Sequence, residues 1–102
     1  MNPAWHDALD DFATRLTRQG RRRRALSPRT RAAYVKDARL LGEWLAARGV
    51  DGPAAVTPSA LDAALRDLGW SASTRARALT AAREWLAPYF PPGRSPADRG
   101  AR

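Results

Sequence analysis

Apolar residues return along this chain at intervals of three and four, and nowhere do they alternate strictly with polar ones. That period is helical. Trp5, Leu9, Phe12 and Leu16 form one stripe and predict a first helix over about residues 3–19, which Asn2-Pro3 can start. Tyr34, Ala38, Leu41 and Leu45 share a narrow arc with Trp44 at its edge, predicting a second, long helix over 28–48. Both of its ends are marked. The Ser27 oxygen can accept an orphan backbone N–H, Pro28 fits the first helical position, and Gly49 can take the left-handed conformation that stops a helix. Asp51-Gly52-Pro53 reads as a turn. Thr57-Pro58 repeats the cap-plus-proline device ahead of Leu61, Ala64, Leu65 and Leu68, a short helix over 58–68 that Gly69 ends. A fourth helix begins at Ser71 or Ser73 and covers about 72–87, closed by Pro88. Leu79, Ala82 and Leu86 are its expected inward residues, flanked by Ala78, Trp85 and Tyr89. Residues 91–102 have no period and are rich in Pro, Gly, Arg and Ala, so a linker or frayed end is expected there. The prediction is an all-α, four-helix bundle in a single domain over 1–90; a chain of 102 residues has room for one modest core.

The polar faces sharpen this picture. Arg29, Lys36 and Arg39 fall opposite the apolar arc of the second helix. On the fourth, Ser73, Arg77, Thr80 and Glu84 recur at spacings of four, three and four, bordered by Arg83. Small hydroxyls near a helix start, beside arginines, suit phosphates and base edges. The formal net charge is +8, and seventeen of the eighteen bases are Arg. Such a charge speaks of partners rather than fold: phosphate polymers, acidic proteins and anionic membranes are all compatible with it. It is also unevenly spread. Residues 21–48 hold nine bases and two acids, whereas residues 49–70 hold one base and three acids, so the third helix is expected to face away from a polyanion. The run Arg21, Arg22, Arg23, Arg24 repels itself and reads as a solvated connector suited to a phosphate-contacting arm.

Signs of an active site are missing. The chain has no cysteine, which excludes disulfides and thiolate metal sites and fits a reducing, cytoplasmic setting. One histidine, His6, cannot by itself build a metal centre or a hydrolytic triad, and no glycine-rich phosphate loop is present. Asp10 and Asp11 would point about 100° apart on a helix, which leaves them as surface acids. Trp5, Trp44 and Trp85 lie on or beside core stripes, and Trp70 follows a helix stop. No window has the length and apolarity of a membrane span, and the N-terminus lacks a signal-peptide pattern. Neither a cofactor nor a metal is expected.

Two motifs carry a resemblance. The pattern S-x-x-T-x-x-x-Y-x-x-D at Ser27, Thr30, Tyr34 and Asp37, leading into EWLAARG, resembles the N-terminal core-binding domain of tyrosine recombinases, the phage-integrase and Xer-type enzymes. ASTRARALTAAREWL, with Arg77, Leu79, Thr80, Ala81 and Arg83, is similar to that domain's last helix. The order of elements agrees as well, and the resemblance covers about residues 5–90. It implies a SAM-like four-helix bundle forming half of a C-shaped clamp on a recombination half-site of duplex DNA. The second and fourth helices would lie against the major groove and its phosphates. The contacts it implies are Ser27, Thr30, Lys36 and Arg39 on the second helix and Ser73, Thr74, Arg77 and Thr80 on the fourth. Arg29 and Arg83 join them on the helical wheel and charge alone.

In that family a second, C-terminal domain holds the catalytic Arg–Lys–His–Arg–His/Trp set and a nucleophilic tyrosine. Nothing in this sequence matches it, so the chain is expected to be no enzyme: an excised fragment, a truncated gene product or a free-standing descendant. A C-terminal catalytic domain or recombinase protomers are the partners this implies, and no membrane is expected. The alternatives are a free-standing helical DNA-binding regulator and a protein-interaction bundle whose basic face docks an acidic partner. The clamp reading requires Lys36 and Arg77 to share one outward wall.

Overall fold

The computed structural model describes residues 1–19 and 26–100. Helices α1 (Pro3–Gln19), α2 (Pro28–Ala47), α3 (Pro58–Asp67) and α4 (Ala72–Leu86) occupy the predicted stretches, and no strand occurs among the described residues. Their starts are set by side-chain caps. The Asn2 Oδ1 accepts the Trp5 N–H at 3.2 Å, the Ser27 Oγ that of Thr30 at 3.1 Å, and the Thr57 Oγ1 that of Ala60 at 3.1 Å. For α4 the cap is Ser71, whose Oγ accepts the Thr74 N–H at 3.2 Å. Each such cap satisfies a donor the helix cannot, worth about 1 kcal/mol. At the other ends Gly49 and Gly69 have φ of +86° and +67°, the left-handed turn that closes α2 and α3.

Helix α2 packs against α1, α3 and α4, so it is the element the others share. Its Ala38, Leu41 and Leu45 are fully buried, as are Trp5, Phe12, Leu61, Trp85 and Leu86 from its neighbours. The Trp5 and Trp85 rings meet at 5.8 Å between centroids, inclined by 39°. Gly42 lies buried against both: a Cβ there would stand in contact, 3.4 Å from the Trp5 Cε3 and from the Trp85 Cη2. Arg15 ties α1 to the end of α4. Its guanidinium donates to the Glu84 and Trp85 carbonyl oxygens at 2.7 and 3.1 Å while Asp11 holds its Nε at 2.8 Å. A cation thus satisfies carbonyls that the last turn of α4 leaves open.

Two expectations are corrected. The buried face of α4 is Ala78, Ala81, Ala82, Trp85 and Leu86, with Leu79 only half-buried and Tyr89 beyond the helix in a 3-10 turn, Ala87–Tyr89. Small alanines, which carry little weight in an apolar wheel, let α4 approach its neighbours closely and so decide which way it faces. The tail also differs from a linker or frayed end. Residues Pro96–Gly100 form a short α5 that packs on α3 and α4, and Ala97 belongs to the core, so the packed domain extends past residue 90. Ser95 accepts the Ala97 N–H at 3.2 Å, and Asp98 lies 3.7 Å from Arg83 of α4.

Candidate nucleic-acid interface

The junction of α2 with α4 is built around one ion pair. Asp37 projects from α2 toward α4, where Arg77 meets it with two parallel bonds: Nε to Oδ2 at 2.8 Å and Nη2 to Oδ1 at 3.1 Å. The carboxylate side chain is 3% exposed, while the Arg77 side chain is 43% exposed. Hydrogen bonding to Asp37 raises Arg77 above the ordinary arginine range, against an opposing effect of desolvation. The guanidinium therefore stays charged at every working pH.

Around this pair the remaining candidates distribute themselves over two shoulders. Lys36 stands about 100° around α2 from Asp37 by helix geometry. With Arg31 and Arg39 it rims a groove of about 450 Å³ between α1 and α2, floored by Leu16, Ala32 and Val35. Lys36 and Arg39 are exposed, as is Arg29. On the other shoulder Ser73 and Thr80 are exposed on α4, at the spacing that puts them beside Arg77. Arg77 belongs to the α2–α4 junction, whereas Lys36 and Arg39 line the α1–α2 groove, on the neighbouring part of the α2 surface. Arg83 lies on a different flank of α4, beside Asp98 of α5.

Several of these groups also have structural work. The Ser27 Oγ caps α2 and lies 2.9 Å from the Thr30 Oγ1. The Thr74 N–H and hydroxyl are both engaged with Ser71, and the Thr80 hydroxyl donates to the Ala76 carbonyl at 3.1 Å. The proposed arm Arg21, Arg22, Arg23 and Arg24 lies outside the described residues.

The basic side chains divide by partner. On the α3 side Arg48 reaches Asp67 at 3.4 Å and Arg66 reaches Asp62 at 3.3 Å. Among the described residues Arg29, Lys36, Arg39 and the exposed Arg75 of α4 form no ion pair. Arg75 did not stand out in sequence because it sits off the Ser73–Arg77–Thr80 stripe. Asp37 was visible there only as a motif position; one of two acids on a basic helix, it stands one step from the apolar arc, and that position is the signal that marks it as a buried partner.

The tryptophans are not free stacking platforms. Trp5 and Trp85 are fully buried, and Trp70 is half-buried against the core. Trp44 donates its Nε1–H to Asp67 at 2.6 Å, with the Arg48 guanidinium 3.7 Å above its ring. No group of three or more His, Cys, Asp or Glu that could hold a metal ion occurs among the described residues, and no described helix is long and apolar enough to cross a membrane.

No curated protein and no solved structure matches the chain. The model of one protein family does, the N-terminal SAM-like domain of phage integrase, over residues 8–87. That span runs from within α1 through the whole of α4 and includes both motifs and the Asp37–Arg77 pair. An all-α bundle with this order of helices, matched over most of its length, makes the chain a member of the phage-integrase N-terminal SAM-like domain family, a recombinase-related module.

Proposed function

We propose that the module binds duplex DNA through α2 and the N-terminal half of α4, as the recognition half of a site-specific recombinase, and performs no chemistry itself. The observation that carries this reading is the partition of charge. Arg29, Lys36 and Arg39 on the outer face of α2 and Arg75 at the start of α4 form no ion pair among the described residues, whereas Arg48 and Arg66 beside α3 are paired; Arg77 is paired with Asp37 and would contribute only the donors that pair leaves free. An unpaired cation gives up little when it takes a phosphate; a paired one must first be released. Lys36, Arg39, Arg29 and Arg75 would position the module on the backbone, and Ser73, Thr80 and Arg77 would reach phosphate or base edges. Arg83 is a weaker contributor, since Asp98 competes for it.

Binding of this kind releases counterions. If roughly four to six phosphates are engaged, log affinity falls with a slope of about −4 to −5 against log salt concentration. Fluorescence anisotropy with labelled duplex DNA across a salt series measures that slope. Absence of binding at low salt removes the proposal. A second reading, a bundle that docks an acidic helical partner, is favoured by one feature, the apolar floor of the α1–α2 groove beneath its cationic rim. DNA would leave that floor uncovered, whereas an amphipathic acidic helix would cover it.

A further inference from the structure

We infer that Asp37 is a positioning residue for nucleic-acid binding: it holds the Arg77 guanidinium so that its free edge meets a phosphate. The inference rests on the DNA-binding reading above and extends it to a residue of the wrong charge for a contact.

Three observations combine. Asp37 is the one charged residue buried among those described, and its two oxygens each take one bond from Arg77. A guanidinium carries five N–H donors in a fixed planar fork. The pair uses the Nε–Nη2 edge, which leaves one hydrogen of Nη1 and the second hydrogen of Nη2 on the adjacent Nη1–Nη2 edge. That edge is a second fork of the kind that meets a phosphate with two parallel bonds. The Asp37 side chain is almost wholly buried while the Arg77 side chain is 43% exposed, so the pair is buried at its carboxylate and open to solvent on the arginine's side. Ser73 and Thr80 stand on the same stripe of α4 and are exposed. Without Asp37, Arg77 would be a long, rotamer-rich side chain, and binding would have to freeze it. With Asp37 that ordering is complete before the ligand arrives.

The sign of the effect separates this role from plain electrostatics. Asp37→Asn removes a negative charge from a protein that binds a polyanion. Long-range attraction alone therefore makes the variant bind tighter. Positioning makes it bind weaker, by roughly ten-fold, the worth of a hydrogen bond to a charged group. The experiment is anisotropy with a labelled mixed-sequence duplex at fixed low salt, on the wild type, Asp37→Asn, Arg77→Ala and the double variant, each checked for helicity and melting temperature. Weaker binding by Asp37→Asn, with little further effect when Arg77 is already Ala, is the expected result. Equal or tighter binding overturns the inference. So does an equal loss with and without Arg77, which would mean that Asp37 acts through the fold. Should Asp37→Asn fail to fold, Arg77→Lys decides the matter: it keeps the charge and loses the fork, so binding unchanged from wild type overturns the inference and weakened binding supports it. A wild type that does not bind at all overturns the DNA reading and this inference together, and the wild-type curve alone identifies that outcome.

Discussion

Trp5 and Trp85 occupy equivalent depths in the core, yet only one of them is satisfied. The Trp5 Nε1–H donates to the Val50 carbonyl at 3.1 Å, whereas the Trp85 Nε1 finds no acceptor in the protein among the described residues. Both side chains are 0% exposed, so they form a matched pair for replacement. Trp5→Phe loses volume and leaves the Val50 oxygen without its partner; Trp85→Phe loses the same volume and removes a donor that is already unpaid. An unsatisfied buried polar group costs about 1–3 kcal/mol, so Trp85→Phe should be the milder of the two by about 1–2 kcal/mol in urea denaturation. Equal losses would mean that the Trp85 donor is satisfied in solution. Both tryptophans were legible as core residues from their spacing alone, but the difference between them was not. A hydrogen bond across forty-five positions is a property of the folded chain, not of a local pattern. Arg15 repeats the lesson. Its place late in α1 reads as a favourable charge for its own helix, and the structure gives it a second use at the end of α4.

The starts of α1, α2 and α3 were legible because each is written in a capping side chain next to a proline, whereas that of α4 lay between Ser71 and Ser73 until the structure gave the cap to Ser71. Ser27-Pro28 and Thr57-Pro58 set α2 and α3 where the sequence places them. Facing was legible for α1, whose stripe consists of large apolar residues, and less so for α4. There, Ala78 and Ala81 are buried and Leu79 is half-buried, because close approach to α2 rewards the small residue. The short α5 was illegible for a different reason. Five residues are too few to show a period, and a helix of that length has no stability of its own, so it exists only as packed on α3 and α4. This makes a sharp test. Were residues 91–102 a free tail, Ala97→Arg would change stability by no more than ~0.5 kcal/mol, as surface substitutions do. Because Ala97 is fully buried, the variant must either expel α5 or bury a charge, and a loss of at least ~2 kcal/mol is expected in chemical denaturation. Restoring a small residue, as in Ala97→Ser, should recover most of it.

At the scale of the whole molecule the question is whether the basic charge acts as a cloud or as a surface. The long axis is 35 Å, with Lys36 on the outer side of α2 and Arg66 on α3 beside Asp62. A charge reversal at either position changes the net charge by the same amount, so a diffuse cloud predicts equal effects on DNA binding. A defined face predicts unequal ones. Ionic strength separates these cases, because the screening length is about 30 Å at 0.01 M and about 8 Å at 0.15 M. At the lower salt it is comparable with the molecule, and a phosphate at one face feels charges at the other. Lys36→Glu and Arg66→Glu should then weaken binding to similar degrees. At the higher salt only charges close to the DNA are felt, so Arg66→Glu should approach the wild type while Lys36→Glu remains impaired. Measuring both variants by anisotropy at the two salts distinguishes the models, with melting temperatures confirming that the exposed substitutions leave the fold intact. If the curves of the two variants stay together at the higher salt, the face formed by α2 and α4 has no special claim on the DNA. If Arg66→Glu is the more impaired, the binding surface lies on the side of α3.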